Sequence, residues 1–218
     1  MVSAENWLSL DLSTPRGSLA LHRKEGALRQ LASVDLEGPH RQSELLLPAI
    51  DQLLRSHAMS TASIQRVVLC SGPGSFTGLR IGFAFAKGFA GALAIPVETI
   101  RGSEARARAY FRQQPGETVT VVTTLTPRSL LWERFQADSL TVVDGGTFLP
   151  DSFHLSADAV VTDARFHIDR AYEIQCSATL LAEGVFERDT LQESQTKETL
   201  IKLTPTYTGG ERFEPGNG

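Results

Sequence analysis

Cysteine is scarce in this sequence, and no long hydrophobic run is free of charge. The only cysteines, Cys70 and Cys176, lie far apart and show no metal-type spacing. This usage fits a reducing cytosol, and Cys70, which ends an apolar run, is predicted to be a small buried hydrophobe. The most apolar stretch, 79–96, contains Arg80 and Lys87, which makes it a poor membrane span. The first residues also lack the basic region and apolar core of a signal peptide, so we expect a cytoplasmic protein that does not enter a membrane.

The chain also lacks an excess of positive charge. Its 218 residues carry a formal net charge of −4, and the pI is about 5.8. A protein that binds nucleic acid by itself usually has a high pI, so this composition does not favour a stand-alone nucleic-acid binder. One local cluster, Arg101, Arg106, Arg108 and Arg112, leaves two interpretations open: a patch that faces tRNA or an acidic partner, or a solvated helix face.

Hydrophobic periodicity predicts two α/β lobes, over 1–100 and 101–207, with a disordered tail over 208–218. The first lobe is expected to begin with an antiparallel meander over 7–34. A helix over 44–57 should follow, with Ser43 as its N-cap and Pro48 near its first turn. Further strands are predicted over 66–70, 94–97, 119–124, 130–135, 140–143 and 159–162, and further helices over 77–93, 103–113 and 178–186. Asp144-Gly145-Gly146 is predicted to form a hairpin turn, with a second nucleotide loop as the alternative.

The junction over 71–82, with the sequence SGPGSFTGLRIG, joins a predicted strand to a predicted helix. Glycines at such a junction can cradle phosphate, because the N–H groups at a helix start point outward. The segment has neither the spacing nor the lysine of a P-loop, and Thr77 stands where a dinucleotide fingerprint needs glycine. The phosphate interpretation is therefore weak, and Ser75 is predicted to cap the helix.

The helix over 77–93 carries two rows of small residues at a spacing of four. One row is Gly78, Gly82, Ala86 and Ala90, and the other is Ala84, Gly88 and Ala92. Glycine inside a helix costs about 1 kcal/mol relative to alanine, so a compensating close approach by another helix is expected. That neighbour can belong to the core of the same lobe or to a partner protein, and packing alone leaves both open.

No catalytic or metal-binding residues are predicted. The five histidines, His22, His40, His57, His154 and His167, include no metal-type pair. Because Ser75 directly follows Gly74, the junction is not a Gly-x-Ser-x-Gly nucleophile elbow either.

The residues 71–97, SGPGSFTGLRIGFAFAKGFAGALAIPV, closely resemble the signature of the bacterial TsaB (YeaZ) family. WLSLDLSTPRGSLAL, HRQSELLLPAIDQLL and PTYTG show weaker resemblances to its first hairpin, its first long helix and a C-terminal Pro-x-Tyr element. The resemblance implies a two-lobed actin/Hsp70-like fold with a shortened second lobe. It also implies a non-catalytic subunit that dimerises with the paralogous transferase TsaD for threonylcarbamoylation of adenosine 37 in ANN-decoding tRNAs.

The resemblance further implies the partners and the site. A TsaE-like ATPase would join the complex, tRNA would bind only through the complex, and the chain alone would form a homodimer. No cofactor would be tightly bound by this chain. Binding of ATP at the complex interface is left open. We expect Gly82→Leu to block heterodimerisation while the isolated fold stays largely intact. The predicted partner-binding residues lie on 44–57 and at the junction and its helix: Leu46, Ile50, Leu53, Gly74, Phe76, Thr77, Gly78, Leu79, Gly82, Phe83, Ala86 and Phe89.

An actin-like small-molecule kinase or ATPase is the alternative function. Actin-like ATPases place an acidic residue and small hydroxyl residues of the first hairpin at the nucleotide, which would give that role to Asp11, Ser13 and Thr14. The glycine that lets the backbone approach phosphate is missing here, and we favour a turn stabilised by Asp and Ser. The catalytic sister family has a His-x-x-x-His pair after the equivalent helix, but 98–110 contains no histidine. A metal-dependent transferase or a peptidase is therefore disfavoured.

Overall fold

A computed structural model describes residues 4–36, 41–150, 159–163 and 171–191. These ranges contain α-helices and β-strands, together with a short 3-10 helix at Thr61–Ser63. The elements are β1 (Glu5–Asp11), β2 (Ser18–Glu25), β3 (Ala27–Asp35), α1 (Gln42–Arg55), β4 (Arg66–Cys70), α2 (Phe76–Leu93), β5 (Val97–Ile100), α3 (Gly102–Gln113), β6 (Thr118–Thr126), β7 (Ser129–Gln136), β8 (Val142–Phe148), β9 (Ala159–Thr162), β10 (Tyr172–Glu173) and α4 (Ala178–Leu191). The predicted tail over 208–218, the PTYTG segment, His40, His154 and His167 lie outside the described residues. None of the described helices has both the length and the hydropathy that a membrane crossing requires.

The first sheet has the strand order β3-β2-β1-β4-β5. The predicted meander is confirmed, because β1, β2 and β3 are successive antiparallel neighbours. At the first turn Gly17 adopts a φ of +53°, a conformation that glycine reaches without a steric penalty. β4 and β5 then join the other edge of β1 in parallel. The carboxyl ends of β1 and β4 therefore lie side by side.

The second sheet repeats this arrangement with the order β8-β7-β6-β9-β10. β6, β7 and β8 form an antiparallel meander, and β9 and β10 are parallel to β6. The two sheets thus share one topology, although no internal repeat is visible in the sequence. A duplicated backbone plan can persist when only the pattern of buried positions is kept.

Alternating side chains cover both faces of the first sheet. Leu8 and Leu10 of β1 pack with α1 and α2, whereas Trp7 packs with α3 and α4 on the opposite face. The other side of α3 carries Tyr110 to the second sheet, so α3 is shared by both sheets. The described layers are therefore α1/α2, first sheet, α3/α4 and second sheet. The chain returns to the first sheet through α4, and the lobe limits of 1–100 and 101–207 stay a prediction.

Several local predictions are wrong in detail. Asp144-Gly145-Gly146 is not a turn: it lies inside β8, where Gly145 pairs with Glu133 of β7. Ser43 is not a cap, because α1 begins earlier, at Gln42, and Pro48 falls in its second turn. β5 begins at Val97, the last residue of the strand predicted over 94–97, since Ala94 ends α2 in the left-handed conformation. Such errors arise because boundaries depend on tertiary contacts more than on local propensity.

His22 on β2 is a buried ionisable side chain, with 1% of its surface exposed. Neither ring nitrogen has a hydrogen-bond partner among the described residues. Burial lowers the pKa of His22 from 6.5 to about 4, because the imidazolium ion would lose its hydration. The folded chain therefore keeps the neutral imidazole at pH values where the unfolded chain already takes up a proton.

We predict that this histidine makes the fold sensitive to mild acid. The free energy of unfolding contributed by neutral His22 is fully present above about pH 6.5. Below that value it should fall by up to about 1.4 kcal/mol per pH unit, until the pH reaches the folded-state pKa. Urea unfolding across this window should show a shallower decline for His22→Leu than for wild type. His57→Gln, at the end of α1, is the matched control and should keep the wild-type slope; equal slopes in all three proteins would contradict the prediction.

Candidate functional site

The glycine-rich junction lies directly against the first hairpin. The backbone N–H of Ser75 donates to the carbonyl oxygen of Ser13 at 2.7 Å. A Cβ atom at Gly74 would overlap that same carbonyl, and one at Gly78 would overlap the carbonyl oxygen of Leu12. The Ser75 hydroxyl accepts from the N–H of Gly78 at 3.2 Å, so the predicted helix cap is confirmed. These glycines serve a close contact between two backbone segments of the chain itself.

The first row of small residues on α2 faces the core of its own lobe. Gly78, Gly82, Ala86 and Ala90 are all buried. A Cβ atom at Gly82 would lie 2.9 Å from Cδ1 of Leu69 on β4. The expectation that Gly82→Leu leaves the isolated fold largely intact is therefore contradicted, because a leucine would collide with this strand.

Most of the predicted partner-binding residues share this inward orientation. Their side chains are packed inside the lobe, so they can support a partner surface only from beneath. These residues are Leu46, Ile50, Leu53, Gly78, Leu79, Gly82, Phe83 and Ala86. Gly74 is half-buried against Ser13, Phe89 is half-buried, and Phe76 and Thr77 are exposed. The small residues among the buried positions of α2 are therefore explained by packing within the core of its own lobe.

The second row of small residues faces outward. We define the outer face of α2 as Phe76, Thr77, Arg80, Ala84, Lys87, Gly88 and Gly91, all of which are exposed. Gly88 and Gly91 would have nothing within 4 Å of an added Cβ atom. Phe76 is 51% exposed, and the guanidinium of Arg80 lies 4.4 Å from its ring centroid. At the border of this face Phe85 and Phe89 stack with their centroids 5.0 Å apart. The result is a helix surface on which small residues alternate with the cations Arg80 and Lys87 and no acidic residue is present.

The three predicted nucleotide-binding residues form a turn. One carboxylate oxygen of Asp11 accepts from the N–H and the hydroxyl of Ser13, at 2.9 and 2.6 Å. The Thr14 hydroxyl accepts from the N–H of Gly17 at 3.3 Å. The backbone that would have to approach a phosphate, at Leu12 and Ser13, is covered by Gly78 and Gly74. Within the described ranges the contacts of these residues match the turn interpretation, and their nucleotide role stays a prediction.

Behind this turn the fold brings both cysteines to Asp11. One ligand atom from each of Asp11, Cys70 and Cys176 lies within 4.8 Å of the other two. Both thiols are free, Cys70 being buried and Cys176 partly so. The pKa of Cys176 is raised well above its usual value by its hydrogen bond with Cys70, then by burial and the negative charge of Asp11, while Arg106 acts in the opposite direction. This cluster could not be predicted from the sequence, because Cys70 and Cys176 lie far apart along the chain.

The arginine cluster of α3 does not form an open basic patch. Arg112 pairs with Glu183 and Glu187 of α4, at 2.9 and 2.6 Å. Arg108 pairs with Glu104 at 2.8 Å, and Arg101 pairs with Glu133 of β7. The remaining member, Arg106, is buried and donates to the carbonyl oxygen of Val122 at 3.0 Å. These arginines join α3 to its neighbours, so neither a tRNA patch nor a solvated helix face describes them.

Sequence comparisons relate the N-terminal half of the chain to tRNA-modification proteins. The TsaD family model, tRNA N6-adenosine threonylcarbamoyltransferase, matches residues 39–123. The tRNA threonylcarbamoyladenosine biosynthesis protein TsaB of Haemophilus influenzae is 33% identical over 114 residues, which are 51% of this chain and 46% of that protein. TsaB of Escherichia coli is 27% identical over 131 residues, which are 60% and 55% of the two chains. The aligned part thus spans about half the length of these relatives.

Structural comparison covers nearly the whole chain. YeaZ from Pseudomonas aeruginosa superposes with a TM-score of 0.71 at 22% identity, over 93% of this chain and 99% of that one. A second structure, of an uncharacterized protein similar to peptidase YeaZ from the same organism, gives a TM-score of 0.70 at 21% identity over the same shares. Together with the duplicated strand order, these superpositions show that the chain has the two-sheet α/β fold of YeaZ, as the family resemblance predicts.

We predict that two alanine substitutions in one helix have opposite effects on stability. Gly78→Ala places a methyl group on the carbonyl of Leu12 and should destabilise the chain by about 3 kcal/mol or more. Gly88→Ala, in open space on the outer face, should stabilise it by about 1 kcal/mol through helix propensity. Urea unfolding of both variants tests the assignment of inner and outer faces. Equal changes in the free energy of unfolding would contradict the assignment of one row to the buried side of α2 and the other to its outer face.

Proposed function

We propose that this chain, a member of the TsaB (YeaZ) family, is a non-catalytic subunit that docks onto a TsaD-type transferase in the biosynthesis of tRNA threonylcarbamoyladenosine. The observation that carries the proposal is the outer face of α2. It is an exposed helix surface that combines small residues with two cationic side chains, is bordered by aromatic rings, and lies within the range 39–123 matched by the transferase family model. The transferase would supply the chemistry, and this chain would complete its assembly.

Small residues on an exposed helix favour contact with another helix. Ala84, Gly88 and Gly91 project little beyond the backbone, so a second helix axis can come unusually close. Glycine at exposed positions costs helix stability, and a docked partner would offset that cost. Phe76 offers a large apolar side chain at the end of the same face. Aromatic residues of this kind often provide much of the binding energy at the centre of an interface.

The shared segment suggests how the partner would bind. The transferase family model covers 39–123, a range that includes α1 and α2. A transferase with equivalent helices could pack its own thin helix face against the outer face of α2, related by an approximate twofold axis. A specific contact of this kind usually buries about 800 Å² on each partner. The same reasoning gives a homodimer as the state of the chain without its partner.

The proposal assigns this chain no catalytic step of its own. His22 is buried on β2, and the His57 ring lies at the end of α1, where Nδ1 can donate to the carbonyl oxygen of Leu53, so the two described histidines do not form a metal-binding pair. The arginines of α3 are occupied within the chain, so tRNA would be held by the complex rather than by this subunit alone. A TsaE-type ATPase, and ATP at the complex interface, belong to the same proposal.

We predict that Gly88→Arg weakens binding to the transferase while leaving the fold intact. The arginine would extend from open space into the gap that a partner helix needs, and we expect at least about a tenfold loss of affinity, equivalent to about 1.4 kcal/mol. Isothermal titration of the purified chain with the TsaD-type protein of the same organism measures this loss. Sedimentation of the isolated variant should likewise show a monomer where the wild type forms a homodimer.

Gln113→Arg is the matched control, because it adds the same charge at an exposed position near the end of α3. It should bind the transferase with wild-type affinity. Gln113→Arg should unfold at the wild-type urea concentration, and Gly88→Arg at the same or a higher one, because arginine is a better helix former than glycine. Wild-type affinity in Gly88→Arg would rule out the outer face of α2 as the docking surface.

A further inference from the structure

The cluster of Asp11, Cys70 and Cys176 has no part in the proposed docking, yet its ligand atoms already lie within 4.8 Å of one another. We infer that these three side chains form a binding site for a thiophilic divalent cation, with zinc as the ion that suits them. Two thiolates and one carboxylate are a ligand set that zinc accepts in a tetrahedral arrangement, with water as the fourth ligand. The proposal replaces the expectation, drawn from histidine and cysteine spacing, that the chain has no metal site.

Regular secondary structure holds two of the three ligands in place. Asp11 ends β1 and Cys70 ends the neighbouring parallel strand β4, where Leu10 pairs with Leu69. Cys70 faces the layer formed by α3 and α4. Because the two strands are in register, their carboxyl ends bring the two side chains to the same edge of the sheet.

The third ligand is held by the start of α4. Cys176 precedes this helix by two residues, and the N–H of Ala178 donates to the Ser18 hydroxyl at 2.9 Å. That bond ties the entry into α4 to β2 of the first sheet. On the other side, a Cβ atom at Gly102 would lie 3.1 Å from the sulfur of Cys176 and 3.3 Å from that of Cys70. A side chain at position 102 would therefore crowd both thiols, and glycine leaves them room.

Asp11 provides an independent indication of a missing ligand. The side chain is 0% exposed, and its Oδ1 atom accepts both hydrogen bonds from Ser13. Its Oδ2 atom is buried and has no hydrogen-bond partner among the described residues. A buried carboxylate oxygen without a partner is costly, and most such atoms in proteins are satisfied by a donor, water or an ion. A cation bound beside the two thiols would supply the partner.

The surrounding charge also fits a divalent ion. The free thiols are protonated, since the pKa of Cys176 is raised, and they would lose their protons to solvent as the ion binds. In the bound state, two thiolates and one carboxylate sum to −3, which a zinc ion reduces to −1. The buried guanidinium of Arg106, 2% exposed, donates to the carbonyl oxygen of Gly102 at 3.3 Å and so stands next to the cluster. Its charge brings the total to zero. Buried charges are tolerated when they are balanced in this way.

The distances require only a small contraction. Zinc–sulfur bonds of about 2.3 Å in a tetrahedron set the two sulfurs about 3.8 Å apart. The present upper limit of 4.8 Å therefore asks the two sulfurs to close by about 1 Å or less. Thiolates select zinc over hard cations such as Mg²⁺, so the site should discriminate between these ions.

The test uses cobalt as a spectroscopic probe for zinc, added to the full-length, reduced and metal-free chain. We expect one equivalent of Co²⁺ to produce the near-ultraviolet thiolate-to-cobalt charge-transfer band, and one equivalent of Zn²⁺ to remove it. Excess Mg²⁺ should leave the band unchanged. Absence of the band in the wild type would overturn the proposal without recourse to any variant. So would a Cys70–Cys176 disulfide in the isolated protein whose reduction yields no cobalt binding.

Variants then assign the ligands. Cys70→Ser and Cys176→Ser should each lose most of the charge-transfer intensity, and the double variant should lose all of it. Asp11→Asn, which keeps an acceptor for Ser13, should retain the band but bind Zn²⁺ at least about tenfold more weakly. His57→Ala is the control for adventitious binding at an accessible histidine and should bind as the wild type does. A band that persists in the double cysteine variant, or unchanged zinc affinity in Asp11→Asn, would contradict the assigned ligand set.

Discussion

The contact between the glycine-rich junction and the first hairpin positions α2 against the ends of β1 and β4. At Gly74 and Gly78 the backbone at the start of α2 lies against the carbonyls of Ser13 and Leu12, a distance that no other residue type permits. The hydrogen bond from Ser75 to Ser13 fixes the angle of approach. Through this contact, the end of β1, the end of β4 and the first turn of α2 become one rigid unit.

The same contact gives α2 two different sides. Once Gly78 is held against Leu12, Gly82, Ala86 and Ala90 must follow it onto the first sheet, because residues four apart share a helix face. The opposite side, with Ala84 and Gly88, is then left facing outward. Small residues thus serve two purposes on one helix: close packing within the lobe on the inside, and a thin surface on the outside.

The duplicated strand order places the two halves of the chain around a common helical layer. α3 contacts both sheets, and the ion pairs of Arg112 with Glu183 and Glu187 bind it to α4. Since α4 returns to the first sheet, the segment before it, which carries Cys176, arrives beside the end of β4. The metal cluster proposed here therefore depends on the return of the chain to its first sheet, and not on any local motif.

The sequence by itself determined the meander, the strand–glycine–helix junction and the helix cap at Ser75, because turn glycines, capping hydroxyls and hydrophobic periods act over a few residues. It could not choose between the two rows of small residues on α2, since both consist of glycine and alanine at a spacing of four. Nor could it pair Cys70 with Cys176, or the arginines of α3 with the acids of α4. Tertiary structure alone decided these, because the face a helix buries and the neighbours it meets depend on the sheet against which it packs.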